Sequence, residues 1–298
     1  MPAQIASRGS RLILILVAAA TLGAIVVAPV AAADSTGRPE PSSGGIVSTR
    51  VDVEPGGPIP ATAPPATLNV FRSEGFRFQD PNYYACTATS ALVMLNTIAL
   101  NGNGGSGFHW VPRLGIAAVN SVLEWERAHD TLAGGNGSDP HGWRNALNYY
   151  GYGSNALYSG SRVYEDLAYS SYARAVKTAV RQIIRTRKPV GILAWAGRHA
   201  QFITGYAGLK GDPFAKDGSG HYKNEFSVDT LYLSDPLKAD GWVNTKVTYA
   251  ALGTSTNAKL RFVPYAESDS PYDDPYTSGT TRARDEWYGR WVIIAPLR

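Results

Sequence analysis

One residue of the 298 can act as a sulfur nucleophile, and it is Cys86. A lone cysteine excludes internal disulfides, CxxC redox chemistry and zinc sites built from several thiolates. By itself it reads as a small buried hydrophobe, because free cysteine is among the most buried residue types. Nucleophilic chemistry needs three further parts: a setting that favours thiolate, a base, and a group that orients the base. The apolar residues Ala88, Ala91, Leu92, Leu95, Ile98 and Ala99 follow one stripe of an α-helix, which Gly102 ends. Cys86 lies at or just before the first turn of that helix. Free backbone N–H groups and the helix dipole favour negative charge there.

The base should be a histidine, and the chain has five: His109, His129, His141, His199 and His221. His199 opens an expected strand running to Tyr206. Another expected strand, from Ser227, ends at Asp235. Antiparallel pairing with 199 opposite 235 and 206 opposite 228 would set imidazole and carboxylate side by side on one sheet face. A carboxylate there holds the imidazole tautomer and stabilises the imidazolium. Gln79 stands on the loop leading to Cys86. Its side-chain NH2, with the Cys86 backbone N–H, can meet the negative oxygen of a tetrahedral intermediate. The other histidines have simpler readings. His109 packs in a loop, His129 ends a helix, His141 lies in a helix's first turn, and His221 is solvated. Asp212 and Asp217, like Asp269, Asp273 and Asp274 with Ser268, Ser270 and Ser278, miss the EF-hand spacing and read as solvated turns.

The elements that must position these residues follow from periodicity. Further helices are expected over about 116–130, over about 141–150 and from Tyr172 to Arg187. Ser138 or Asp139 would cap the one over 141–150, and Gly151 would stop it. The last of them has an apolar stripe of Ala173, Val176, Val180, Ile183 and Ile184. Its other face carries Arg174, Lys177, Arg181 and Arg185, which reads as solvated surface. Strands are expected over Val190–Trp195, His199–Tyr206, Ser227–Asp235, Lys259–Val263 and Trp287–Ala295. Helices come first and strands second, which argues for an α+β fold with an antiparallel sheet.

Composition is that of an ordinary globular chain, 44% hydrophobic and 17% charged. Net charge is +4 and falls to +2 when Arg8 and Arg11, the only charges before Asp34, are removed with the N-terminus. That balance speaks against a nucleic-acid binder. Arg8 and Arg11 precede an apolar run from Leu12 to Ala20, and Ala31-Ala32-Ala33 follows Pro29. These are the parts of a secretory signal peptide over residues 1–33. If uncleaved, the segment is long enough to anchor the chain at a membrane. Residues 34–67 are rich in Pro and Gly and read as a linker or pro-segment, with the folded domain spanning 68–298. The expected location is extracellular, or the cell surface if the segment is retained.

The stretch Gln79-Asp80-Pro81-Asn82-Tyr83-Tyr84-Ala85-Cys86-Thr87-Ala88 resembles the nucleophile segment of the C39-like cysteine peptidases. Their fold is papain-like, and in them a Gln precedes a Cys that opens the central helix. Arg198-His199-Ala200-Gln201-Phe202-Ile203-Thr204-Gly205-Tyr206 looks like their histidine strand, and Leu231-Tyr232-Leu233-Ser234-Asp235-Pro236 like their Asp-Pro strand end. The resemblance covers about residues 70–240. It implies that Cys86 is the nucleophile, His199 the general base and acid, Asp235 the orienter and Gln79 the oxyanion donor. The family often has Cys-Gly-Pro where this chain has Cys86-Thr87-Ala88. The polar insertion Gly208–Glu225 reads as a lid, a specificity loop or decoration.

The leading expectation is a secreted thiol hydrolase acting on peptide or isopeptide bonds of a peptide or protein substrate. Transglutaminase-like acyl transfer by the same site is an alternative, since water and an amine compete for one acyl-enzyme. A cell-wall peptide amidase fits less well, because its usual Asp-Cys-Ser-Gly segment is absent. A peptide- or glycan-binding module on a peptidase-like scaffold is the reading from another class. No metal or organic cofactor is implied, and a monomer is expected.

Overall fold

A computed structural model describes residues 49–131, 136–253, 262–265 and 286–298. The residues read as a signal peptide, the first part of the Pro-rich stretch and the Asp/Ser-rich stretch 268–278 lie outside the described residues.

The chain forms a mixed α+β fold with five α-helices and a mostly antiparallel eight-stranded sheet among the described residues. Helix α1 spans Cys86–Asn101 and ends at Gly102, whose left-handed φ of 65° lets its N–H turn back to Ile98 and Ala99 carbonyls. The helix is buried on more than its apolar stripe: Thr89, Ser90, Asn96 and Thr97 are as inaccessible as Leu92. α1 is therefore a central helix. Helices α2 (Ile116–Ala128) and α3 (Pro140–Tyr152) pack on it. Asp139 caps α3 by accepting from Gly142 N–H at 2.8 Å, and the helix runs past Gly151 to stop at Gly153.

The remaining elements are β1 (Arg50–Val51), β2 (Thr67–Asn69), β3 (Tyr164–Tyr169), α4 (Tyr172–Thr186), β4 (Val190–Ala194), β5 (His199–Ala207), β6 (Thr230–Ser234), β7 (Thr245–Thr248), α5 (Tyr249–Gly253) and β8 (Trp291–Pro296). The sheet order is β1-β3-β8-β4-β5-β6-β7, with only β1 and β3 parallel. β2 pairs with β5 at residues 205–207, beyond the reach of β4 at 199–203. Gly205 is required there, because a Cβ would lie 2.1 Å from the Leu68 carbonyl oxygen. One apolar core joins α4 to the sheet, and another joins α1, α2 and α3 to it.

Several expectations need correction. The separation of helices from strands is incomplete, because β3 precedes α4 and pairs with the last strand, β8. Glu165 and Asp166 hid β3 in the sequence, yet both are buried against Arg144 and Arg162. Residues 262 and 263, the described part of the expected strand 259–263, are not a strand, and the C-terminal strand starts at Trp291.

The basic face of α4 is not solvated surface. Arg174 bonds Asp52 at 3.0 Å, Arg181 bonds Glu54 at 2.6 Å, and Arg185 donates to the Pro55 carbonyl at 2.8 Å. From the 208–225 insertion, Asn224 accepts from Arg181 at 2.7 Å and the Tyr222 ring lies 4.7 Å from its guanidinium carbon. The Pro-rich stretch is thus tied to the fold from Thr49 onward, and the insertion packs on α4.

Candidate active site

Three stretches converge where α1 begins. Ala85 lends the first turn no side-chain cap, and the first i→i−4 bond runs from Thr89 N–H to Ala85 O at 2.8 Å. The N–H groups of Cys86, Thr87 and Ala88 precede that bond, so they and the helix dipole face whatever approaches the sulfur. Cys86 is partly exposed, whereas Thr87, behind it, is buried.

His199 begins β5 and is buried. Its Nε2 meets Asp235 Oδ1 at 2.7 Å, and the ring is also a hydrogen-bond partner of the Cys86 thiol. With Nε2 committed to Asp235, Nδ1 is the nitrogen left for sulfur. Burial alone would favour the neutral ring. The hydrogen bonds to Asp235 and Cys86 and their negative charges outweigh it and raise the ring to about 10. Trp195 stacks on the ring with centroids 4.2 Å apart. The turn carrying Trp195 has φ of 53° at Trp195 and 57° at Ala196, a left-handed run that the flanking strands hold in place.

Asp235 is fully buried and both of its oxygens are hydrogen-bonded. Oδ1 accepts from His199 and from Leu237 N–H at 2.7 Å, and Oδ2 accepts from Gln201 Nε2 at 2.5 Å. The register explains Gln201. Phe202 pairs with Ser234, so Gln201 rather than His199 stands opposite Asp235. The assumed pairing of 199 with 235 is therefore two residues out, and Tyr206 faces Leu231 rather than Val228. The irregularity between Ile203 and Gly205 adds a further one-residue shift. His199 still reaches the carboxylate, because residues 199 and 201 share one side of the strand.

Gln79 joins the same assembly. Its N–H bonds the carbonyl of Pro236, directly after Asp235, at 2.8 Å. Its side-chain Nε2 donates to Tyr83 O at 2.8 Å, which leaves the second hydrogen of that amide uncommitted. Cys86, His199 and Asp235 thus meet, and the backbone of Gln79 is tied to the same corner through Pro236. Gln201, Trp195 and the Leu237 N–H are further parts of the site. Gln201 had a signal in its two-residue spacing from His199.

The other histidines lie apart from this assembly. His141 is buried among Thr131 at 2.7 Å, Thr49 at 3.1 Å and Asp166 at 3.3 Å. Burial would raise the Asp166 carboxyl, but Arg144 and His141 hold it well below the usual carboxylate range. His129 stacks on Trp125 at the end of α2, and His109 and His221 are exposed. Asp212 and Asp217 accept from backbone N–H groups of their own turns. Among the described residues, no group of three His, Cys, Asp or Glu side chains could hold a metal ion. None of the described helices is long and apolar enough to cross a membrane.

No family model, curated protein or solved structure matches this chain.

Proposed function

We propose that this chain is a thiol hydrolase of the C39-like, papain-like kind that cleaves peptide or isopeptide bonds outside the cytoplasm. One observation carries the reading: the His199 ring is held between the Cys86 thiol and Asp235, with a 2.7 Å bond to the carboxylate. Supporting it are the partial exposure of Cys86 and the packing of its helix between α2, α3 and the sheet. The export-signal pattern ahead of Asp34 supports the location.

In this mechanism the Cys86 thiolate attacks the substrate carbonyl carbon, and the carbonyl π pair moves onto oxygen. That oxyanion is met by the Cys86 N–H and the free amide hydrogen of Gln79. Collapse expels the amine, which takes its proton from His199, and leaves a thioester on Cys86. Water then gives a proton to His199 and attacks the thioester, and collapse releases the acid and restores the thiolate. Asp235 keeps Nδ1 aimed at sulfur and stabilises the imidazolium.

The test pairs wild type with Cys86→Ala against a peptide library, read by mass spectrometry. Wild type should cleave and the variant should stay folded without turnover. Turnover by folded Cys86→Ala rejects the mechanism. Products carrying an added amine instead of a free acid would redirect the reading to acyl transfer.

A further inference from the structure

Helix α2 buries Val119, Val122, Leu123 and Glu126, so a glutamate occupies the last place in an apolar stripe. Glu126 has no exposed surface. Its Oε2 accepts from Thr87 Oγ1 at 2.7 Å, and its Oε1 is buried with no partner. Thr87 is the residue after the nucleophile, at the place where the resembled family often has glycine. The titratable groups facing Glu126 are Cys86 on α1, Asp130 just past the end of α2, Asp139 ahead of α3 and Tyr150 on α3. Every one of these is an acid. Ser138 also faces it, as a hydroxyl.

A buried carboxylate whose donors are neutral hydroxyls, with an orphaned oxygen and acidic neighbours, is costly to ionise. We infer that Glu126 works as a neutral carboxylic acid that holds the first turn of α1 through Thr87, and that its ionisation on the alkaline side weakens the Cys86 site. Burial pushes its carboxyl well above the usual range, and the charges of Cys86 and Asp139 push the same way. The coupling is reciprocal: thiolate at Cys86 holds the proton on Glu126, and carboxylate at Glu126 disfavours thiolate and the oxyanion beside it. The step itself is simple loss of a proton from the carboxyl to solvent. Glu126 is a positioning residue, since it reaches the chemistry only through Thr87 and through its charge.

This inference rests on the thiol-hydrolase reading, so the experiment separates the two. Infrared spectra of the full chain are recorded in D2O against pH for wild type and Glu126→Gln. The difference spectrum of wild type minus Glu126→Gln should show a protonated-carboxyl band at neutral pH, which separates Glu126 from Asp130, whose carboxyl burial also pushes up. Alkylating Cys86 with uncharged iodoacetamide removes the thiolate and should lower the pH midpoint of that band by on the order of one unit. Glu126→Gln should leave the acid-side inflection of Cys86 alkylation where wild type has it and shift the alkaline decline in turnover to the higher pH at which His199 alone loses its proton. Absence of the band at neutral pH, or a midpoint that ignores alkylation, overturns the inference while leaving the hydrolase reading intact. A wild-type Cys86 that alkylates like free cysteine sinks the hydrolase reading instead, and the band still reports the state of Glu126. Should Glu126→Gln fail to fold, Thr87→Val removes the hydroxyl donor and should raise the band's midpoint further.

Discussion

Replacing Asp235 by Asn removes one charge and little else. The new Oδ1 can still accept from His199 Nε2 and Leu237 N–H, while Gln201 must turn its amide to present oxygen to the new NH2. A hydrogen bond to a charged partner contributes about 1.5–3 kcal/mol and a neutral one about 1 kcal/mol, so the variant should lose roughly 1–2 kcal/mol and stay folded. The effect on the thiol should be larger. Without the carboxylate, burial pulls His199 toward the neutral ring, and the cation that the proposed mechanism sets beside Cys86 is lost. An ordinary thiol ionising near 8.5 is only about 0.3% thiolate at pH 6. Iodoacetamide alkylation at pH 6 should therefore slow by about 10- to 100-fold in Asp235→Asn, and the two proteins should converge above pH 9. The sign for stability follows from the same ring. A histidine raised from 6.5 to about 10 contributes fully below its unfolded value, and that contribution is lost as pH rises through 10. The stability gap between wild type and variant should be widest near pH 6 and shrink toward pH 10 in urea titrations. Superimposable alkylation profiles for two folded proteins would refute the claim that Asp235 charges the imidazole.

Two further predictions concern the frame around the site. Gly205→Ala sets a Cβ against the Leu68 carbonyl, and because both partners are paired backbone, it should cost about 1–3 kcal/mol in denaturant unfolding. Arg181→Met leaves Glu54 without its 2.6 Å partner, so stability should fall by about 2 kcal/mol or more, and limited proteolysis should cut first within residues 50–60. Unchanged proteolysis would mean that the segment over α4 is held by its other bonds.

Part of this molecule is written locally. The stripe from Ala88 to Ala99 makes a helix whatever surrounds it, and Gly102 ends it because a left-handed residue closes the last turn. A cysteine at the head of that helix, a glutamine on the loop before it, and a histidine and an aspartate at facing strand ends are likewise visible in order and spacing. The strand pairing was visible only in kind. A period of two says which residues share a face, but register depends on the bulge at Ile203–Gly205 and on β2 pressing against Gly205, neither of which the strand carries in itself.

Whether a charge is buried was decided by tertiary structure alone. Glu165, Asp166, Arg181 and Glu126 have the residue types of a solvated face, and each is buried with a partner that comes from elsewhere: Arg144 for β3, Glu54 for α4, and Thr87 for α2. Local periodicity records how a segment could bury its own apolar side. It holds no record of which distant group will meet a buried polar side chain, so β3, the covered face of α4 and the acid behind Cys86 emerge only when the chain is folded.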